Sequence, residues 1–161
     1  MQVYLLRHGI AEDPKPGQPD RERALTAEGR RKLRSVLKAA KAGEVAPEIV
    51  VTSPYVRARQ TADIARELLG GELVESAALA PHSRPEAAWD ELRTYRGSTQ
   101  VLLVGHEPLF SQLTAYLLGT PELIVDFKKG ALARIDFEPE LGLRPRGGLR
   151  WLITAKLTGA G

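Results

Sequence analysis

The sequence predicts an α/β fold, a three-layer sandwich in which helices cover both faces of a mostly parallel central sheet. Short apolar segments alternate along the chain with segments of helical periodicity. The apolar run at residues 101–104 is unbroken, which is typical of a strand buried on both faces of a parallel sheet. The length of 161 residues suits one domain, so we expect a single domain over residues 1–161.

The first strand and the first helix are indicated near the N-terminus. Residues 2–6 predict a buried strand, and residues 10–24, which are rich in proline, predict a long loop. Thr26 is a suitable N-cap for a helix. The apolar positions that follow recur at helical spacing, and the helix is expected to end near Gly43.

A second strand and helix follow directly. Residues 49–52 predict a strand, and the next pair, Ser53-Pro54, is typical of the N-cap and first position of a helix. The glycine pair that begins at Gly70 predicts the end of that helix.

The rest of the chain repeats this alternation and then closes with strands. Pro85 opens one predicted helix, and Glu107-Pro108 opens another that ends at Gly119. The predicted strands of this half cover residues 73–74, 101–104, 131–137 and 149–157.

Composition excludes several classes of function. The chain contains no cysteine, which excludes disulfides, thiolate metal ligands and a cysteine nucleophile. No apolar run approaches the roughly 20 residues of a membrane span, and the N-terminus does not resemble a signal peptide, so we expect a cytoplasmic protein. A net charge of +3 favours anionic ligands but is too small to indicate nucleic-acid binding.

Histidines and arginines follow three of the predicted strands. Arg7 and His8 end the first strand, Arg57 lies in the first turn of the helix after the second, and His106 follows the central strand. Ligands of such folds bind at the carboxyl ends of the strands. If these strands are adjacent and parallel, two histidines and two arginines lie at one edge of the sheet.

This set of side chains predicts phosphoryl chemistry. The planar guanidinium of arginine binds phosphate oxygens through two parallel hydrogen bonds and keeps its charge. Catalysis of phosphoryl transfer depends mainly on positioning and on stabilising the charge of the transferred group. A neutral imidazole is a competent nucleophile, so a histidine at this edge can form a covalent phosphohistidine.

The motifs around these residues resemble those of the histidine phosphatase superfamily, also called the phosphoglycerate mutase-like family. The matching segments are Arg7-His8-Gly9, Leu25-Thr26-Ala27-Glu28-Gly29, Ser53-Pro54-Tyr55-Val56-Arg57-Ala58-Arg59-Gln60-Thr61-Ala62 and Gly105-His106. The short chain and the Gly-His-Glu-Pro form are most similar to the small bacterial phosphohistidine phosphatases of SixA type.

The resemblance implies a phosphoglycerate mutase-like fold, phosphatase activity and a role for each matching residue. His8 would be the nucleophile, and Arg7 and Arg57 would hold the phosphoryl oxygens. His106 would donate a hydrogen bond to the same group. No metal and no cofactor is implied.

An acidic residue that protonates the leaving group in many members of the family has no counterpart at its usual place, residues 77–82. His82, Glu12 and Asp13 are the weak candidates for that role. An imidazole leaving group can take its proton from solvent near neutral pH, whereas an alkoxide needs a placed proton. The expected substrate is therefore phosphohistidine on another protein, for example a histidine-phosphorylated signalling protein.

Two other functions are open at this point, and two more are disfavoured. A phosphatase for a small phosphorylated metabolite would use the same residues, and so would a non-catalytic phosphate-binding module. A mutase is disfavoured by the short chain. A metal site formed by His8, His82 and His106 is disfavoured because the two arginines would repel a cation.

Overall fold

The computed structural model describes residues 1–138 and 141–161. Its strands are β1 (Gln2–Arg7), β2 (Ile49–Thr52), β3 (Glu72–Glu75), β4 (Gln100–Gly105), β5 (Leu132–Asp136) and β6 (Gly148–Ile153). Its α-helices are α1 (Ala27–Ala42), α2 (Val56–Leu69), α3 (Pro85–Arg93) and α4 (Leu109–Leu117). In the described part of the chain, no helix combines the length and the hydrophobicity that crossing a bilayer requires.

The six strands form one sheet in the order β3-β2-β4-β1-β5-β6. β1, β2, β3 and β4 are mutually parallel, and β5 is antiparallel to both of its neighbours. The predicted mostly parallel sheet is therefore confirmed. Because β4 lies between β1 and β2, the carboxyl ends of these three strands are adjacent at one edge of the sheet.

The two faces of the sheet are covered by different helices, which confirms the predicted three-layer arrangement. Along β1, Tyr4 and Leu6 belong to the cluster that contains the apolar faces of α1 and α2. Val3 and Leu5 belong to the opposite cluster, with Trp89 of α3 and the apolar residues of α4. Alternate residues of a strand point to opposite faces, so this strand is buried on both sides.

Local signals place α1 and the end of α2 where the sequence predicts them. The Thr26 hydroxyl accepts a hydrogen bond from the backbone N–H of Gly29 at 2.9 Å and caps α1, which ends just before Gly43. Gly70 ends α2 with φ of 86°, a backbone conformation that other residues rarely adopt.

The predicted helix start at Ser53-Pro54 is wrong. α2 begins at Val56, and its N-cap is Tyr55, whose side chain makes no capping hydrogen bond. The Ser53 hydroxyl accepts a hydrogen bond from the backbone N–H of Tyr55 at 3.2 Å and also contacts His106 at 2.7 Å. The serine is thus part of the site at the sheet edge and not of the helix.

The last strand is shorter than predicted. β6 ends at Ile153, and the chain then turns, with the backbone N–H of Leu157 donating to the carbonyl of Thr154 at 3.0 Å. This turn buries Ala155 against the core on the α1 side, and Ser35 of α1 donates to the hydroxyl of Thr158 at 2.9 Å. Packing onto α1 therefore replaces strand pairing beyond residue 153.

Candidate active site

The carboxyl edge of the sheet brings together residues from three strand ends. His8 follows β1, His106 follows β4, and Arg57 lies in the first turn of α2 after β2. The centroids of the two imidazole rings are 5.1 Å apart, and Arg57 Nε is 3.3 Å from His8 Nε2. His8, Arg57 and His106 are only 6%, 5% and 1% exposed, so their polar atoms contact protein atoms and have little contact with water.

The hydrogen bonds of His8 show which of its ring nitrogens carries the lone pair. His8 Nδ1 lies 2.7 Å from the carbonyl oxygen of Gly9. A carbonyl can only accept, so Nδ1 carries the proton and the lone pair is on Nε2. Burial and the charges of Arg57 and Arg7 together lower the pKa of His8 to about 3, although the hydrogen bond to Gly9 acts in the opposite direction. At neutral pH His8 is therefore a neutral imidazole whose Nε2 lone pair faces Arg57.

Thr61 joins the end of β1 to α2. Its hydroxyl accepts from the backbone N–H of Gly9 at 3.1 Å and donates to the carbonyl of Arg57 at 2.7 Å. Thr61 is completely buried, so neither bond competes with water. The backbone beside His8 is in this way held at a defined distance from the helix turn that carries Arg57.

The position of Ser53 determines which nitrogen of His106 carries its proton. Ser53 Oγ accepts from the Tyr55 N–H, and it lies 2.7 Å from His106 Nε2. The hydroxyl proton of Ser53 has no acceptor other than Nε2 among the described residues, so we assign Ser53 as the donor in this hydrogen bond and Nδ1 as the protonated nitrogen. His106 Nδ1 is buried and has no hydrogen-bond partner among the described residues. Burial, together with repulsion from His8 and Arg57, lowers the pKa of His106 to about 2.

Arg7 supplies a second buried donor without a partner. Its Nη1 donates to the carbonyl oxygen of Phe127 at 2.7 Å, which holds the guanidinium in place. Its Nε is buried and makes no hydrogen bond within the described chain. Burial lowers the pKa of Arg7, but an arginine side chain stays charged in proteins. An unpaired buried donor is costly, and an anion bound at this point would remove that cost.

One carboxylate contacts the site, and the sequence interpretation missed it. Arg57 donates from Nη1 to the backbone oxygen of Asp20 at 3.0 Å and from Nη2 to Asp20 Oδ2 at 3.1 Å. Asp20 lies in a 3-10 turn (Asp20–Glu22) within the predicted long loop. Several charged residues occur in that loop, and no spacing or motif distinguishes Asp20 from them.

The three weak candidates for a proton donor do not lie against the histidines. His82 is exposed in a turn, Asp13 is exposed, and Glu12 pairs with Lys15 at 3.6 Å. Within residues 1–138 and 141–161, none of the three makes a hydrogen bond or ion pair with the site. Arg59, which belongs to the same motif as Arg57, forms partly exposed ion pairs with Asp63 and Glu75 instead of contacting the site.

Comparison with known proteins gives the family. The model of the histidine phosphatase superfamily (branch 1) matches residues 3–81. An uncharacterized protein of Picosynechococcus sp. is 36% identical over 95% of this chain and 99% of its own length. Phosphohistidine phosphatase SixA of Escherichia coli K12 is 32% identical over 86% of this chain and 86% of its own length.

Solved structures share the whole fold. The protein histidine phosphatase SixA complexed with tungstate superposes with a TM-score of 0.81 at 26% identity, over 98% of this chain and 99% of that one. The α-ribazole phosphatase of Shigella flexneri superposes with a TM-score of 0.75 at 19% identity, over 96% and 97%. At that identity the second likeness concerns the fold and not the substrate.

The sheet, the paired histidines and these relatives define a phosphatase of the α/β class. The chain belongs to the histidine phosphatase superfamily, and phosphohistidine phosphatase SixA is among its relatives.

Proposed function

We propose that this protein is a metal-independent phosphatase that removes phosphoryl groups from histidine residues of other proteins through a covalent intermediate on His8. The observation that carries the proposal is an imidazole nitrogen that carries a lone pair and lies beside a charged donor, together with two buried donors of neighbouring residues that have no partner. Arg57 Nε points at His8 Nε2 at 3.3 Å, while Arg7 Nε and His106 Nδ1 are buried donors without partners in the described chain. A tetrahedral oxyanion bonded to His8 Nε2 would satisfy all three.

The first chemical step uses the lone pair of His8 Nε2. It attacks the phosphorus of the substrate, a bond from Nε2 to phosphorus forms, and the bond from phosphorus to the substrate imidazole breaks. The hydrogen bond from Nδ1 to the Gly9 carbonyl holds the ring in the orientation in which Nε2 faces Arg57. This bond also stabilises the positive charge that the ring gains, because the carbonyl faces the N–H that becomes more acidic.

The charge of the transferred group is stabilised by groups that are already in position. Arg7 and Arg57 supply fixed positive charge, and neutral His106 supplies a hydrogen bond from Nδ1. Buried donors need little reorganisation during the reaction, because Phe127 holds Arg7 and Ser53 holds His106. In the second step water attacks the phosphorus, the bond to Nε2 breaks, and inorganic phosphate leaves.

The choice of phosphohistidine as substrate follows from the leaving group. Among the described residues, Asp20 is the one carboxyl group that hydrogen-bonds to a residue of the site, and its pKa lies below its usual value. Burial would raise that pKa, but the hydrogen bond from Arg23 and the charge of Arg57 lower it more, so Asp20 is a carboxylate at neutral pH. A departing imidazole takes its proton from water, whereas an alkoxide would need a placed acid.

A phosphatase for a small phosphorylated metabolite is the second candidate. The fold is shared with an α-ribazole phosphatase, so the fold by itself does not choose between the two types of substrate. The same nucleophile and the same donors would serve it, and the difference would be a dependence on an acid for the leaving alkoxide.

A substrate panel separates the two candidates. We expect kcat/KM on a phosphohistidine peptide to exceed that on sugar phosphates by at least tenfold, with full activity in the presence of a chelator. Acid quenching during turnover should trap acid-labile phosphate on wild-type protein and none on His8→Ala. Comparable kcat/KM on both substrate types would contradict the preference for phosphohistidine, and labelled His8→Ala would contradict the assignment of the nucleophile.

A further inference from the structure

A large basic cleft opens beside the catalytic residues. It has a volume of about 820 Å³, and its described lining consists of Arg7, Ile10, Lys32, Lys128, Lys129, Thr154, Ala155, Lys156 and Gly161. Of the described residues, none that lines it is aspartate or glutamate. Four lysines and an arginine line this one opening, so the charged side chains of its lining are all basic.

Two of the four lysines are available for a partner. Lys32 pairs with Glu28 at 3.1 Å, and Lys128 pairs with Asp126 at 2.7 Å. Lys129 and Lys156 are exposed and form no ion pair with any residue of 1–138 or 141–161. Unpaired ammonium groups beside a cleft attract anions and raise the rate at which anions arrive.

The cleft adjoins the proposed site of phosphoryl transfer through Arg7. Arg7 lines it, and the carbonyl of Phe127, next to the two adjacent lysines, accepts from Arg7 Nη1. The backbone N–H of Gly130 donates to the carbonyls of Arg7 at 3.1 Å and His8 at 3.0 Å. The segment that carries Lys128 and Lys129 is therefore hydrogen-bonded to the end of β1. The charge of Lys129 also contributes to the lowered pKa of His8.

We propose that this cleft, formed by Lys32, Lys128, Lys129 and Lys156, binds carboxylate side chains next to the phosphohistidine of a substrate protein. This inference rests on the proposed function, since it places in the cleft the residues of the substrate protein that neighbour the phosphohistidine. A phosphohistidine bound at Arg7 and His8 leaves its neighbouring residues over the lysines. Exposed lysines on flexible stems suit a variable acidic surface better than one rigid small ligand.

Nucleic acid fits the cleft less well than a protein does. None of its described lining residues is aromatic, so it offers no surface on which bases can stack. The lysines are also arranged around an opening and not along a stripe that could follow a phosphate backbone.

The test uses two synthetic phosphohistidine peptides of equal length, one with glutamates beside the phosphohistidine and one with glutamines. The readout is the ratio of kcat/KM for the two peptides with each enzyme, because any change in the catalytic centre itself cancels from the ratio. Wild type should prefer the glutamate peptide by roughly five- to tenfold at low salt, and the preference should shrink at high salt. The double variant Lys129→Gln/Lys156→Gln should lose the preference.

The matched control is Lys38→Gln/Lys41→Gln. Both lysines are exposed near the end of α1, at the sheet edge opposite the site, so the same change of net charge should leave the preference intact. Equal hydrolysis of both peptides by wild type, or a preference that survives in Lys129→Gln/Lys156→Gln, would overturn the cleft assignment alone. Hydrolysis of p-nitrophenyl phosphate but of neither peptide would instead overturn the proposed function. A sugar bisphosphate hydrolysed faster than both peptides, with the same lysine dependence, would assign the cleft to metabolites and overturn the inference.

Discussion

Removal of the Ser53 hydroxyl should slow catalysis although Ser53 does not touch the phosphoryl group. The hydroxyl is completely buried, accepts from the Tyr55 N–H at 3.2 Å and lies 2.7 Å from His106 Nε2. The Ser53 hydroxyl donates a hydrogen bond to Nε2, so the ring proton of His106 is on Nδ1, and Nδ1 is the donor for the phosphoryl group. In Ser53→Ala nothing selects this tautomer, so a fraction of His106 presents a lone pair to the phosphoryl oxygens instead of a proton.

The expected size of the effect follows from the value of one hydrogen bond. A neutral hydrogen bond contributes about 1 kcal/mol, which corresponds to roughly a fivefold fall in kcat. The free energy of unfolding should also fall, by about 1 to 3 kcal/mol, because a buried ring nitrogen loses its partner. Ser35→Ala is the control, since Ser35 donates to Thr158 far from the histidines. That variant should lose stability and keep its kcat.

Two measurements check this reasoning. Steady-state kinetics of Ser53→Ala on p-nitrophenyl phosphate give the change in kcat, and ¹⁵N NMR of the imidazole rings shows which nitrogen of His106 is protonated. The wild-type ring should carry its proton on Nδ1. A wild-type ring protonated on Nε2, or an unchanged kcat in Ser53→Ala, would refute the assignment of Ser53 as the residue that positions His106.

Further predictions concern His8, Arg57 and Asp20. Arg57→Ala should weaken inhibition by vanadate roughly 10- to 100-fold, since a charged hydrogen bond to the oxyanion is lost, and unchanged inhibition would place Arg57 outside the phosphoryl site. Asp20→Asn should strengthen vanadate inhibition by about fivefold, because Asp20 Oδ2 occupies Arg57 Nη2 and repels an anion; weaker inhibition would mean that Asp20 positions Arg57 instead. His8 has a folded-state pKa of about 3 against about 6.5 when unfolded, so its contribution to stability is complete above pH 6.5 and declines as the pH falls towards 3. Between pH 7 and 4.5 the free energy of unfolding measured in urea should therefore fall by about 3 kcal/mol more in wild type than in His8→Ala, and equal falls would show that His8 is not held neutral by burial.

Much of the fold was predictable because the signals are local. Thr26 caps α1 through a bond to an N–H three residues away, and Gly70 ends α2 through its own backbone conformation. The continuous apolar run of β4 also indicates a central strand without reference to the rest of the chain. The sequence could not predict the end of β6, because Ala155 and Thr158 form a turn that packs on α1.

The Ser53-Pro54 pair shows how a local signal can mislead. Its residue types are those of a helix start, and the helix does begin within three residues. The hydroxyl of Ser53 contacts His106, which is 53 residues away along the chain, so only the folded chain shows that this serine belongs to the site.

By itself the sequence determined the α/β class, the strand ends that carry His8, Arg57 and His106, and the family motifs. These features depend on residue type and on spacing along the chain. Only the tertiary structure decided that β4 lies between β1 and β2, that Asp20 occupies two donors of Arg57, and that Arg7 Nε and His106 Nδ1 are buried without partners among the described residues. The physical reason is that strand order and hydrogen-bond partners depend on contacts between segments far apart in sequence, and no local pattern of residues specifies those contacts.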